Sequence, residues 1–446
     1  MKTARQIAYD TLLRIEKENA YSNIAIDKML QSSGLDKVQS AFATAIFYGV
    51  LETKIQLDYA ISKYLKKKLT SLDIQIVTIL RMGFYQLLYM DGVPDNAAVN
   101  ESVKLVEYAR KASAKGFANA VLRSFIRDEK AITLPNKDKD LVMYYSIQYA
   151  CPKWLFQQWK DQYDLETAIE LAKASLHRPP LTVRVNTLKT TTEKLIGFLE
   201  NRGVKACKHE FLENCLVLEQ TGSIDKLPQY RQGLFHVQDV ASQICAEILN
   251  AKQGDTIIDM CSAPGSKAFT IAEHMNNEGK IYAFDLFEHK LKLISDGAKR
   301  LGITIMNTSL QDATIFNEDL LKADHVLCDV PCSGLGIVRR KPEIKYKNEQ
   351  DFANLPEIQF AILSNAANYV KLGGTLVYST CTTNKKENIE VINRFLKMNN
   401  SFKPLQLSEI FGKINGMDDF AVTLFPHKYN CDGFFIAALV KEKESV

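Results

Sequence analysis

The chain has 446 residues, 46% hydrophobic and 24% charged; this is the balance of ordinary globular domains, and the length exceeds what one core usually serves, so two or three domains are expected and pervasive disorder is excluded. No segment approaches the roughly 20 apolar residues of a membrane span, and nine cysteines without a C-x-x-C pair argue against a disulfide framework, a zinc knuckle or another metal site, so a cytoplasmic protein with reduced thiols and no membrane partner is expected. The net charge of +4 is uneven: residues 1–135 hold 19 Lys and Arg against 14 Asp and Glu, giving that part +5 and the remainder −1, a footprint for a polyanion or simply a solvated helical surface.

From Ala4 to about Asp128 apolar residues recur at helical spacing, as in "SAFATAIFYGVLETKIQLDYAISKYL", and breaks at "QSSGLD", "KKKLTSLD" and "MDGVPDNAA" divide the stretch into five to seven helices. Residues 1–135 are therefore expected to form an all-α domain, ending at the polar linker "AITLPNKDKD". Residues 136–230 carry a further helical stretch, the strand-like "LTVRVNT", the helical "TEKLIGFLENRG" and the strand-like "NCLVLE", which together predict a small α+β domain. Over residues 231–446 short apolar strands alternate with helices ("TIIDM", "KIYAFD", "ITIMNTS", "DHVLCDV", "TLVYST", "FFIAALV"), the pattern of a doubly wound, Rossmann-like α/β sheet. Ligands of such sheets bind beyond the carboxyl ends of the strands, so the residues at those ends are the candidates for function.

The first of these strands runs into "DMCSAPGSK". Here Cys261, Ser262, Ala263, Pro264, Gly265, Ser266 and Lys267 form a tight turn before a helix whose N–H groups can hold a carboxylate. The loop is neither G-x-G-x-x-G nor a P-loop, since Ser266 stands where a P-loop has Gly. Asp285 ends the second strand and is placed to accept ribose hydroxyls, Asp312 follows the third and can receive an adenine amino group, and Asp329 closes the fourth. Any single Asp can be a turn residue, but four acidic strand ends point to a nucleoside with a positive centre, which S-adenosyl-L-methionine is.

Two thiols reach the same sheet edge: Cys332 in "DVPCSGLG" and Cys381 in "YSTCTT". Cys245 and Cys328, by contrast, sit inside apolar runs and read as small core residues. A thiol is what methylation of pyrimidine carbon 5 requires, because that carbon becomes nucleophilic only once a thiolate has added at carbon 6. Asp329 can then contact ring N3 or the exocyclic amino group. The zinc-deaminase pattern is missing, as no second cysteine follows Pro331-Cys332 at its spacing.

The segments "DMCSAPGSK", "FD", "QDA", "DVPCSG" and "YSTCT" resemble, across the whole C-terminal half, the successive motifs of the RNA 5-methylcytosine methyltransferases of the NOL/NOP/Sun group. The resemblance implies that Cys381 is the nucleophile and that Cys332 helps release the product; the DNA 5-cytosine enzymes attack with the Pro-Cys thiol instead. Where that group often has Gly-Gly-Lys, this chain has Gly265-Ser266-Lys267. The N-terminal stretches "TARQIAYDTLLRIEKENAYSNIAID" and "VPDNAAVNESVKLVEYARKASAKGFANAVLR" are similar to the helical RNA-binding domain of NusB, and the middle domain looks like the group's small RRM-like module without an RNP1 pattern. A NusB-like domain ahead of this catalytic domain is the layout of the RsmB/Sun (Fmu) family. That layout implies methylation of a cytosine in 16S rRNA, in free or early-assembly small-subunit RNA, by a monomer. Arg339, Arg340 and Lys341, after the first cysteine loop, are candidates for RNA phosphate contacts. A tRNA cytosine methyltransferase is the nearest alternative; an assembly factor that keeps the fold without using it is the alternative from another class, against which the intact cysteine pair argues.

Overall fold

Turn residues predicted to break the N-terminal helices become their caps. In the computed structural model, which describes residues 2–18, 21–408 and 419–443, Asp36 accepts the Gln39 N–H at 2.8 Å and Asp73 that of Gln75 at 2.9 Å. The helices so delimited are α1 (Ala4–Glu18), α2 (Ser22–Gln31), α3 (Lys37–Ser62), α4 (Ile74–Tyr89), α5 (Asp95–Tyr108) and α6 (Lys115–Arg127). Their apolar faces meet in one core, in which Phe84 stacks on Phe125 with ring centroids 4.2 Å apart. One cation enters it: Arg81, 7% exposed, grips Asp58 at 2.6 and 2.8 Å and Glu16 at 2.9 Å.

Helices α7 (Leu141–Gln148), α8 (Lys153–Gln162) and α9 (Leu165–Ala174) continue this helical unit, which comprises Met1–Arg178 and the detached segment Val338–Lys347. Lys345 of that segment is fully buried and donates to the carbonyls of Glu52 at 3.0 Å and Ala150 at 3.2 Å. Burial lowers its pKa to about 8. The neighbouring Tyr346 hydroxyl donates to the Leu51 carbonyl.

The second unit, Pro179–Ile337 with Asn348–Val446, holds two sheets. In the smaller, β1 (Leu181–Val185), β2 (Lys205–Lys208), β3 (Cys215–Glu219) and β4 (Phe235–Val237) run antiparallel in the order β2-β3-β1-β4, accompanied by α10 (Thr192–Glu200) and α11 (Pro228–Arg231). Val183, Val185, Leu195, Leu216 and Phe235 fill its core. Arg184, alternating with them along β1, points the other way.

The larger sheet has β5 (Thr256–Asp259), β6 (Lys280–Asp285), β7 (Met306–Leu310), β8 (Ala323–Asp329), β9 (Val370–Thr380), β10 (Phe402–Pro404), β11 (Ala421–Leu424) and β12 (Phe434–Lys441). The order is β10-β12-β9-β8-β5-β6-β7, with β11 paired to β12; β5 to β9 are parallel, and β12 is antiparallel to β9. Helices α12 (Val240–Leu249), α13 (Ser266–His274), α14 (Glu288–Leu301), α15 (Leu355–Ala366) and α16 (Ile389–Met398) accompany the strands. Because the chain runs from β5 outward to β7 and then returns to β8, the strand order reverses between β5 and β8, and their carboxyl ends, Asp259 and Asp329, bound the crevice where ligands of such sheets bind. Among the described residues no helix is long and apolar enough to cross a membrane.

Arg184 joins the two sheets. Its guanidinium reaches Glu247 of α12 at 2.7 Å and Glu273 of α13 at 3.1 Å, while His274 lies 3.0 Å from Glu247. His236 of β4 is buried beside them, and its pKa is lowered to about 3 by burial and by the charges of Arg184 and Arg300, so it is neutral at physiological pH.

Candidate active site

The loop from β5 to α13 carries the residues from Cys261 to Lys267. Gly265 caps the helix at φ +99°, a conformation open to glycine, and a Cβ there would fall 2.6 Å from the Phe269 ring. The Ala263–Pro264 peptide is cis. Beneath the loop, Asp259 Oδ1 and Ser262 Oγ are buried without a hydrogen-bond partner, and burial pushes the Asp259 pKa up to about 7. Lys267, in the first turn of α13, is 8% exposed and lies 2.7 Å from Asp329 Oδ2; Ser379 Oγ of β9 donates to the other oxygen, Oδ1, at 2.8 Å. The Asp329 carboxylate is thus held from two sides at the end of β8.

Cys332 follows β8 and Cys381 follows β9, and the parallel pairing of these strands brings the two loops together. Their sulfurs are 3.1 Å apart, both as free thiols. The hydrogen bond to Cys381, burial, and the charges of Cys381 and then Glu387 push the Cys332 pKa well above the ordinary thiol value, and either sulfur can donate to the other. Backbone contacts hold the Cys332 loop on both sides: the Gly336 N–H donates to the Cys381 carbonyl at 3.0 Å, and the N–H of Gly433, just before β12, donates to the Gly336 carbonyl at 2.9 Å. Glu387, with no exposed surface, accepts from the Ser333 N–H at 2.8 Å and the Ser333 hydroxyl at 2.5 Å. Sequence reasoning missed Glu387 and Ser379. The signals available were Ser379 inside the "YSTCT" motif itself and Glu387 in the "NKKEN" that follows it.

The remaining sequence candidates fall as follows. Asp285 ends β6, 6% exposed, with Oδ1 accepting the Phe287 N–H at 3.1 Å and lying 3.5 Å from Lys290 Nζ. Asp312 lies past β7, and its Oδ1 takes both the N–H (2.9 Å) and the hydroxyl (2.6 Å) of Thr314, which lowers its pKa, chiefly through the hydroxyl. Its local role is that of a turn residue. Cys245 and Cys328 are buried core residues. Arg339, Arg340 and Lys341 lie in the segment that folds with the helical unit, where Arg339 is 7% exposed and Lys341 Nζ sits 4.7 Å above the Tyr21 ring. Among the described residues no cluster of His, Cys, Asp and Glu can hold a metal ion.

A mixed sheet with this switch point, a glycine-capped loop after its first parallel strand and an acidic residue ending the next defines the S-adenosylmethionine-dependent methyltransferases. The residues fit that cofactor: the backbone turn at Gly265 carries no side chain, a Cβ there would meet Phe269, and Asp285 stands at the end of β6. The family described as 16S rRNA methyltransferase RsmB/F matches residues 246–440, the NusB family matches 2–127, and the ferredoxin-like domain of RsmF/B-like methyltransferases matches 151–225. The chain is 35% identical to the probable ribosomal RNA small subunit methyltransferase B of Bacillus subtilis, over 99% of both chains, and 31% identical to ribosomal RNA small subunit methyltransferase B of Salmonella arizonae, over 96% of each. Among solved structures it is similar to the protein PH0851 (TM-score 0.82, 27% identity, 98% of both chains). It is also similar to NSun6 of Pyrococcus horikoshii with SFG (TM-score 0.60, 25% identity, 66% of this chain and 99% of that one). The chain belongs to the RsmB/Sun family of rRNA methyltransferases, with a NusB-like helical domain, a small ferredoxin-like domain and a Rossmann-like methyltransferase domain.

Proposed function

We propose that the protein methylates carbon 5 of a cytosine in 16S rRNA through a covalent adduct with Cys381. The observation that carries this reading is the pair of free thiols, 3.1 Å apart, that follow the neighbouring strands β8 and β9. A catalyst of this reaction needs one sulfur that attacks as a thiolate and later leaves, and a neutral donor beside it stabilises the thiolate as it departs. Cys381 adds to carbon 6 of the ring and the electron pair of the 5,6 double bond moves toward carbon 5. S-adenosylmethionine, when bound, supplies the electrophilic methyl group. Once carbon 5 carries both its hydrogen and the methyl group, a base takes the proton, the double bond re-forms and the Cys381–carbon bond breaks. The Cys332 S–H then hydrogen-bonds the departing sulfur. Asp329, oriented by Lys267 and Ser379, is placed to meet ring N3 or the exocyclic amino group as charge develops there.

The family's chemistry and the basic N-terminal part support free or early-assembly small-subunit RNA as substrate, with the NusB-like domain contributing phosphate contacts and a cytoplasmic monomer as the working form. Residues 1–135, 136–230 and 231–446 are the functional divisions in this reading. The test is incubation with methyl-labelled S-adenosylmethionine and, separately, naked small-subunit RNA, assembled small subunits and tRNA, followed by nucleoside analysis. Label in 5-methylcytidine from naked rRNA is the expected result; label confined to tRNA, or in another nucleoside, overturns it.

A further inference from the structure

We infer that Glu387 is a positioning residue that clamps the Cys332 loop to the Cys381 loop and divides the labour between the two thiols. Its carboxylate has no exposed surface and accepts from four neutral donors: the Ser333 N–H (2.8 Å) and hydroxyl (2.5 Å), the Gln359 amide (3.0 Å) and the Asn384 amide (3.0 Å). These donors come from the residue after Cys332, from α15 and from the loop after Cys381. Gln359 also donates to the Pro331 carbonyl at 3.0 Å, so both sides of Cys332 are tied to one point. The Thr382 and Ser333 hydroxyls lie 2.8 Å apart; since Ser333 gives its proton to Glu387, Thr382 is the donor of that pair, and the chain of hydrogen bonds runs from the residue after Cys381 to the carboxylate.

A neutral amide could staple two loops. A carboxylate adds a fixed negative charge in a water-free place, which is costly to bury even when its oxygens are satisfied. The groups that face Cys332 are Cys381 across the gap, Glu387, and Tyr378 of β9, whose hydroxyl donates to the Glu387 carbonyl at 2.5 Å and is held neutral mainly by burial. Cys381 and burial do most to hold the Cys332 proton, and the Glu387 charge, fixed one residue away on the Ser333 N–H, adds to them on the Cys332 side of the pair. Two cysteines at equivalent strand ends thereby become unequal through a third residue. The consequence for turnover rests on the methyltransferase reading above; the consequence for the thiols does not.

The experiment is iodoacetamide alkylation of the full chain as a function of pH, with Cys332 and Cys381 quantified by peptide mass spectrometry, in the wild-type protein and in Glu387→Gln. In the wild type Cys381 should alkylate at lower pH than Cys332. In Glu387→Gln, whose amide can keep the hydrogen bonds after Asn384 and Ser333 reorient, the Cys332 midpoint should fall by about one pH unit, and methyl transfer by about tenfold. An unchanged Cys332 midpoint in the folded variant overturns the inference. So does Cys332 alkylating first in the wild type, a result that needs no variant. A wild-type protein with the expected alkylation order but no 5-methylcytidine product would instead count against the proposed function alone.

Discussion

Lys267 Nζ lies 2.7 Å from Asp329 Oδ2, joining the first turn of α13 to the end of β8 across the switch point of the sheet. The lysine was expected to serve the cofactor loop. Its ion pair shows that it also orients the carboxylate next to the thiols; burial lowers the lysine pKa, but the charge of Asp329, its hydrogen bond and the other nearby negative groups together raise it above its ordinary value. Lys267→Met should therefore lower methyl transfer by about 10²-fold while S-adenosylmethionine affinity, by calorimetry, changes much less. Equal losses in both would place Lys267 on the cofactor.

Asp285, which ends β6, is the acceptor we propose for the ribose hydroxyls. Asp285→Ala should weaken S-adenosylmethionine binding by about 1–3 kcal/mol, the cost of leaving hydroxyl donors without their acceptor. Calorimetric affinity equal to wild type would remove Asp285 from the cofactor site.

How far the sequence alone carries the account depends on whether a residue's partner is local. Asp36 and Asp73 were readable as helix starts because a cap bonds three or fewer residues away. Cys332 and Cys381 were readable because each follows an apolar strand, and strand ends are where such sheets place ligands. Asp312 was read for adenine; the Thr314 of "QDAT" bonds its Oδ1 through both N–H and hydroxyl, a local contact the sequence could have shown. Arg339, Arg340 and Lys341 were read as candidates for RNA phosphates; that Val338–Lys347 packs into the helical unit through Lys345 depends on the carbonyls of Glu52 and Ala150, far away in sequence. The three-residue strand β4 is too short to show a period, and it carries the small sheet past residue 230. Glu387 reads as a charge near a helix start, and nothing local reveals that Ser333 and Gln359 come to meet it.

Acid should weaken the second unit through His236. Its folded pKa of about 3 lies below the unfolded value near 6.5, so the stability it contributes is complete above pH 6.5 and is lost as pH falls toward 3. At pH 5 the loss from this group is about 2 kcal/mol. Urea unfolding at pH 7 and pH 5 should show it, and His236→Phe should flatten the difference. A variant with the same pH dependence as wild type would show that other groups carry the acid sensitivity.

Gly336 is where the Cys332 loop meets the backbone of the Cys381 loop and of the turn before β12. A Cβ there would lie 1.8 Å from the Gly433 carbonyl oxygen and 2.8 Å from that of Cys381, both backbone atoms that cannot swing aside. Gly336→Ala should separate the loops, costing about 1–3 kcal/mol in stability and at least tenfold in methyl transfer, with S-adenosylmethionine still bound. Wild-type turnover in this variant would mean that the loop spacing is not critical.

The thiol pair carries the central claim, and the direct measurement is denaturing electrophoresis of the single cysteine variants after incubation with substrate RNA and S-adenosylmethionine. With the sulfurs 3.1 Å apart and Cys381 as the proposed nucleophile, Cys332→Ala should still attack and then stall, giving a protein–RNA adduct that survives denaturation. Cys381→Ala should give neither adduct nor methylated product. An adduct that accumulates in Cys381→Ala while Cys332→Ala stays inert would reverse the roles of the two thiols and contradict the account.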